Sequence, residues 1–166
     1  MPEKLNLETI LVNGIPIEIE SEPVVSPLVL STTFERGSDG NFVAGGDIYS
    51  RASNPNRRQL EKKLAAIEHA RQALAFSSGQ AATYAVFQAL PAGSHVIIPD
   101  DIYYGTRSDL KLLGTNTGIT FSEINMSDIE GVNSSILPET RLIWVESPSN
   151  PKLKITNINA ILKPAP

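Results

Sequence analysis

The sequence predicts an α/β domain with a mainly parallel sheet, entered through an irregular N-terminal arm. Three observations carry that class. From about residue 55 onward, short apolar runs alternate with stretches of helical periodicity, and such alternation implies right-handed crossovers with helices on the faces of a parallel sheet. The junctions are punctuated by Gly, Pro, Ser and Asn, the residues that end regular elements. Residues 1–49 instead show little sustained periodicity, broken by Pro16, Pro23 and Pro27 and by Gly37, Gly40, Gly45 and Gly46.

That first segment reads as an arm and a glycine-rich loop. So long a stretch without regular structure is unusual inside one compact domain, so the arm is expected to lie on something else, such as a neighbouring subunit. Val24, Val25, Leu28, Val29, Leu30 and Phe34 are too apolar for a freely solvated tail. A helix follows over Asn56 to His69: Asn54 is a favoured cap, Pro55 suits the first turn, and Leu60, Leu64 and Ile67 recur at helical spacing. His69 reads as its cationic terminator. Arg57, Arg58, Lys62 and Lys63 share that helix with Glu61 and Glu68 and read as a solvated face. The order continues as strand Ala73–Phe76, helix Gln80–Leu90, strand Val96–Pro99, helix Gly105–Leu113, strand Ile119–Phe121, helix Ser127–Ser135 and strand Leu142–Val145.

Composition narrows the function. With 166 residues, 41% apolar and 19% charged, the chain is long enough for one buried core and too apolar for a disordered tail. A net charge of −4 gives no electrostatic reason to expect nucleic acid or an anionic membrane as partner. Without Cys, and with only the distant His69 and His95, neither a thiolate nucleophile nor a metal site is expected. Charged residues interrupt the first twenty positions, and no apolar run approaches membrane-spanning length. The expectation is a soluble, cytoplasmic chain.

Ligands of parallel sheets bind beyond the carboxyl ends of the strands, and three such positions are chemically suggestive. Phe76-Ser77-Ser78-Gly79-Gln80 is a small-residue turn opening a helix, where free N–H groups can hold a phosphate; alone, it reads as a plain cap. Asp100-Asp101-Ile102-Tyr103-Tyr104-Gly105 sets an aromatic ring at the crevice, which alone reads as a packing residue; the two Asp read as helix caps or solvated loop residues. Glu146-Ser147-Pro148-Ser149-Asn150-Pro151 is a turn stiffened by two prolines that presents Asn150. Arg51, after Tyr49-Ser50, offers directed hydrogen bonds to a phosphate, against the alternative of a surface salt bridge. The chain lacks the spacing of an ATP-binding loop and the three-glycine dinucleotide fingerprint.

Together, Val24-Val25-Ser26-Pro27 through Ser31-Thr32-Thr33-Phe34, Tyr49-Ser50-Arg51 with Asn54-Pro55, Ala75-Phe76-Ser77-Ser78-Gly79, Asp101-Ile102-Tyr103 and Glu146 to Pro151 resemble the Cys/Met-metabolism family of pyridoxal-phosphate enzymes. That group contains cystathionine γ-synthase, γ-lyase and β-lyase. The resemblance implies part of the aminotransferase-type large domain: residues 1–49 as N-terminal arm and loop, and 50–166 as the first part of the cofactor-binding α/β domain. It implies pyridoxal 5'-phosphate as cofactor, a sulfur amino acid as substrate, and a dimer or tetramer in which Tyr49 and Arg51 hold the neighbouring subunit's cofactor phosphate. It further implies that Ser78, Gly79 and Gln80 cradle this subunit's phosphate and that Tyr103 stacks on the pyridine ring and assists proton movements. Asn150 would meet the cofactor's phenolic oxygen or the substrate carboxylate.

Two positions depart from the family's pattern: Asn56 stands where Thr is more frequent, and Gln80 where an apolar or small residue is. The family's cofactor-linked Lys lies in a Ser-x-Thr-Lys segment, and the Asp that pairs with the pyridinium nitrogen in an Asp-Asn-Thr-Phe-like one. None of Lys4, Lys62, Lys63, Lys111, Lys152, Lys154 and Lys163 has that context. The expectation is therefore a transsulfuration enzyme of the γ-synthase or γ-lyase type that needs a downstream half for catalysis. The alternative is a non-catalytic module that pairs with full-length subunits of the same fold.

Overall fold

The computed structural model describes residues 25–162. The chain divides into two compact units, Met1–Ala75 and Phe76–Pro166.

In the first unit the segment around Thr33 runs antiparallel to that around Tyr49. The Ser50 N–H donates to the Thr32 carbonyl at 2.8 Å and the Phe34 N–H to that of Ile48 at 3.3 Å. These isolated bridges close the glycine-rich loop, inside which Arg36 pairs with Phe42 and lays its guanidinium 4.2 Å from that ring's centroid. Helix α1 (Pro55–Ile67) starts where Asn54 caps the Asn56 N–H, as its Asn-Pro signature predicts. Asn56 has more than a surface role: its Oδ1 accepts from the Val29 N–H at 3.0 Å and its Nδ2 donates to the Pro27 carbonyl at 2.9 Å. One amide thus pins the apolar end of the arm to the helix start. Arg58 leaves the solvated face to pair with Asp47.

His69 ends α1 through its backbone conformation. It takes a left-handed φ of 52°, while the Ala70 N–H reaches the Ala65 carbonyl at 2.8 Å and its own N–H that of Ala66 at 3.4 Å, the paired bonds of a Schellman cap. One expectation fails in this unit: residues 73–76 form no strand. Ala75 gives its N–H to the Glu61 carboxylate at 3.0 Å, Leu74 is 75% exposed, and among the described residues no neighbouring strand pairs with the run. An apolar run becomes a strand only when a partner takes its ladder bonds.

The second unit is the α/β body. Its elements are α2 (Gly79–Gln88), β1 (His95–Pro99), α3 (Tyr104–Thr117), β2 (Thr120–Ile124), α4 (Ile129–Ser134), β3 (Thr140–Ile143) and a short α5 (Ile158–Ile161). The three strands are parallel in the order β2-β1-β3, with Val96 level with Phe121 on one side and Leu142 on the other. Central β1 is buried throughout, and its alternate side chains feed two cores, as the period of two requires. Val96 and Ile98 pack with Phe87 of α2 and Leu110 and Leu113 of α3. Ile97 points the other way, to Met126 and Val132, with Ile161 of α5 against them.

The buried His95 spans the sheet: Nδ1 lies 2.8 Å from Thr140 Oγ1 and Nε2 3.0 Å from Ser122 Oγ. Burial pushes its pKa below the ordinary value, partly opposed by nearby Glu139. Helix α3 outruns its predicted end and stops at Gly118, whose φ of 71° is a left-handed cap that favours glycine. Strand β2 extends to Ile124 through Ser122 and Glu123, polar residues that hide a half-exposed edge strand from an apolar-run reading.

Candidate functional site

Beyond the carboxyl ends of β1 and β3, at the start of α2, lies a cavity of about 370 Å3 lined by Gly79, Gln80, Tyr103, Trp144, Glu146 and Asn150 among others. Of the residues singled out in the sequence, Gly79, Gln80, Tyr103 and Asn150 therefore share one wall system, with Ser78 at its rim as the N-cap of α2.

The α2 start presents free hydrogen-bond donors. Ser78 adopts an extended backbone and its Oγ accepts the Ala81 N–H at 3.1 Å. Among the described residues nothing accepts the N–H groups of Gly79 and Gln80, which a helix start leaves without intrahelical partners. The first turn carries no acidic residue, so the positive helix end is unneutralised. A Cβ built on Gly79 meets nothing within 4 Å, so this side of the cradle is open.

Tyr103 lines the cavity and is 49% exposed as a residue. Its residue is the N-cap of α3 without a capping side-chain bond, and its N–H donates to Glu146 Oε2 at 3.1 Å. Gln80 is held by a hydrogen bond from its Nε2 to Asp109. Behind the cavity, Trp144 rests tilted on Phe87 with centroids 5.2 Å apart, tying the wall to the core.

Asn150 lies in a turn that the two aspartates anchor; Asp100 is exposed, as its reading as a solvated loop residue expects, whereas Asp101 departs from its reading as a cap or solvated residue. Asp101 is buried, 6% exposed, and accepts from Ser149 Oγ at 2.6 Å. The same Oγ accepts the Lys154 N–H at 2.9 Å. Asp100 binds Lys154 Nζ at 2.8 Å; that hydrogen bond holds the Asp100 carboxyl below its usual range and the Lys154 ammonium above its own. Both X-Pro bonds of the turn, Ser147-Pro148 and Asn150-Pro151, are cis. Glu146, Trp144 and Asp101 are contributors that sequence reasoning left without a role. Glu146 stood inside the quoted motif, but its link to Tyr103 spans 43 positions and has no local signal.

Tyr49 and Arg51 belong to the first unit. The Arg51 guanidinium lies 4.7 Å from the Tyr49 ring centroid, a cation–π contact that leaves Arg51 exposed.

The model of the Cys/Met metabolism PLP-dependent enzyme family matches residues 8–165. The chain is 41% identical over 145 residues to a cystathionine gamma-lyase of Bos taurus, covering 87% of this chain and 35% of that protein. It is 43% identical over 136 residues to a cystathionine gamma-synthase of Mycobacterium bovis, covering 81% and 35% respectively. Among solved structures it superposes on the cystathionine gamma-lyase of Lactobacillus plantarum complexed with L-serine, with a TM-score of 0.85 and 34% identity, over 96% of this chain and 41% of that one. The chain thus spans a little over a third of the length of the curated relatives it matches, and the solved structure shares its partial aminotransferase-type α/β fold. The family's cofactor is pyridoxal phosphate, and the free N–H pair, open Gly79, half-exposed ring and Asn150 amide fit it. The chain belongs to the Cys/Met metabolism family of pyridoxal-phosphate-dependent enzymes.

Proposed function

We propose that this chain forms the cofactor-binding part of a transsulfuration enzyme of the cystathionine γ-synthase or γ-lyase type, acting on sulfur amino acids by replacement or elimination at the γ-carbon. The observation that carries this reading is one cavity shared by a free helix-start N–H pair, an exposed aromatic face and an asparagine amide, in a chain of this family.

When bound, the cofactor supplies an electron sink for charge that develops at the substrate's α-carbon. The residues of this chain bind and orient. The N–H groups of Gly79 and Gln80, with Ser78, hold the phosphate at the positive end of α2. Tyr103 covers one face of the pyridine ring, and its phenolic Oη holds or moves a proton. Asn150 Nδ2 donates to the cofactor's phenolic oxygen or to the substrate carboxylate. Arg51 and Tyr49 form a clamp for the phosphate of a neighbouring subunit in a dimer or tetramer, a role that suits an exposed guanidinium steadied by an aromatic face.

Reactivity needs more than these residues. Of the described lysines none lines the cavity, and Lys154 is held charged by Asp100, the wrong state for attack on an aldehyde. In this reading the cofactor-linked lysine is contributed by sequence other than the described residues, and catalysis needs that sequence.

The test is to add pyridoxal phosphate to the natively produced protein, reduce with borohydride, and map the adduct by peptide mass, then assay γ-elimination from cystathionine and its formation by γ-replacement. An adduct on a lysine outside residues 1–166, with turnover in one assay, supports the proposal. No specific adduct and no turnover contradict it.

A further inference from the structure

We propose that Gly105 and Glu146 are positioning residues that together fix the Tyr103 ring at the cavity. The inference rests on the cofactor reading above and deepens it.

Gly105 lies in the first turn of α3, and a Cβ built there would stand 2.6 Å from Cε1 of the Tyr103 ring and 2.8 Å from Oε1 of Gln80. Real Cβ atoms do not approach a ring so closely, and an aromatic ring cannot flex away as a long side chain can. The missing methyl is therefore the seat on which the ring lies. No left-handed φ asks for glycine at this position, and in a helix Ala is favoured over Gly by about 1 kcal/mol, so backbone conformation does not account for it. The Gln80 side chain shares the same seat and is itself held by Asp109, which leaves the ring little room to shift sideways.

Glu146 acts on the other side of the residue. Its Oε2 accepts the Tyr103 N–H at 3.1 Å from the loop after β3. With no capping side-chain bond at that helix start, this contact fixes the backbone from which the ring projects. Gly105 thus sets where the ring rests and Glu146 where it begins, in a residue left 49% exposed at a cavity open to a planar ligand ring.

The test uses the natively produced protein and reads pyridoxal phosphate affinity by titration together with the induced circular dichroism of the cofactor band. Gly105→Ala should weaken affinity about tenfold, the scale of a lost aromatic stack, and diminish the induced signal, while the far-ultraviolet circular dichroism of the fold is kept. In a Tyr103→Ala background the same change should alter affinity less than about twofold, because its effect passes through the ring. Glu146→Ala should weaken binding in the same ring-dependent way, and Glu146→Gln, which keeps an acceptor oxygen, should restore it. Equal losses with and without the ring, or no loss in either, overturn the proposal. A parent protein that gives no cofactor band overturns the functional reading first, and the proposal with it.

Discussion

Replacing Ser149 by Ala tests how the Asn150 turn is held. The hydroxyl is 2% exposed as a residue and makes two bonds: it donates to the buried Asp101 carboxylate at 2.6 Å and accepts the Lys154 N–H at 2.9 Å. The first is charge-assisted and worth about 1.5–3 kcal/mol, the second about 0.5–1.5 kcal/mol, so their joint loss costs the local structure about 2–4.5 kcal/mol. The cost is local because other ties hold the turn as well: the backbone pair Ser149 to Lys154 at 3.0 Å and Leu153 to Ser149 at 2.9 Å, the Thr156 N–H on Ser147 Oγ at 3.0 Å, the Tyr103 N–H on Glu146 at 3.1 Å and Lys154 Nζ on Asp100. Amide hydrogen exchange reads this directly. Protection of the Ser149, Leu153 and Lys154 amides should fall by between about thirtyfold and about a thousandfold, at roughly tenfold per 1.4 kcal/mol. Amides of β1 should keep theirs. Unchanged protection in the turn would refute the assignment of Ser149 as its anchor.

Other outcomes follow from the core and the buried histidine. Phe87, fully buried between α2 and β1 and against Trp144, should cost about 3–5 kcal/mol on truncation to Ala, read as a lower thermal midpoint and a loosened Trp144 by fluorescence. His95 has a folded pKa below its ordinary value because burial disfavours the cation. Its stabilising contribution is therefore complete above about pH 6.5 and is lost as pH falls below that, where the unfolded chain takes up the proton first. Thermal midpoints from about pH 7.5 to about pH 5 should fall more steeply for the parent protein than for His95→Gln, and parallel slopes would contradict the buried neutral assignment.

Much of the body was legible because its signals are local. The run at Val96 to Pro99 is apolar on both faces and becomes the buried central strand, and Asn54-Pro55 and Ser78-Gly79 announce helix starts that their side chains do cap. The failures share a physical cause, dependence on partners distant in sequence. Ala73–Phe76 has strand composition, but Glu61 takes the Ala75 N–H and no strand stands beside it among the described residues. Helix α5 is a single turn around Ile158–Ile161, formed where its apolar side packs on the Ile97 core, and too short for any periodicity to show. Asp100 and Asp101 sit where caps are common, yet their partners are Lys154 and Ser149, about fifty residues on. Asn56 works by pinning Pro27 and Val29, a pairing invisible without the fold. For the site, the helix start, the ring and the asparagine were each legible as residue types. Their convergence on one cavity came from the parallel sheet, which sends the ends of β1 and β3 to the same side as the start of α2.

The central claim is that the start of α2 holds the cofactor's phosphate. The most direct measurement is a crystal structure of the natively produced protein with pyridoxal phosphate bound. Phosphate oxygens should lie within hydrogen-bond distance of the Gly79 and Gln80 N–H groups, with the pyridine ring against Tyr103. A phosphate bound elsewhere, with those N–H groups left to solvent, would contradict it.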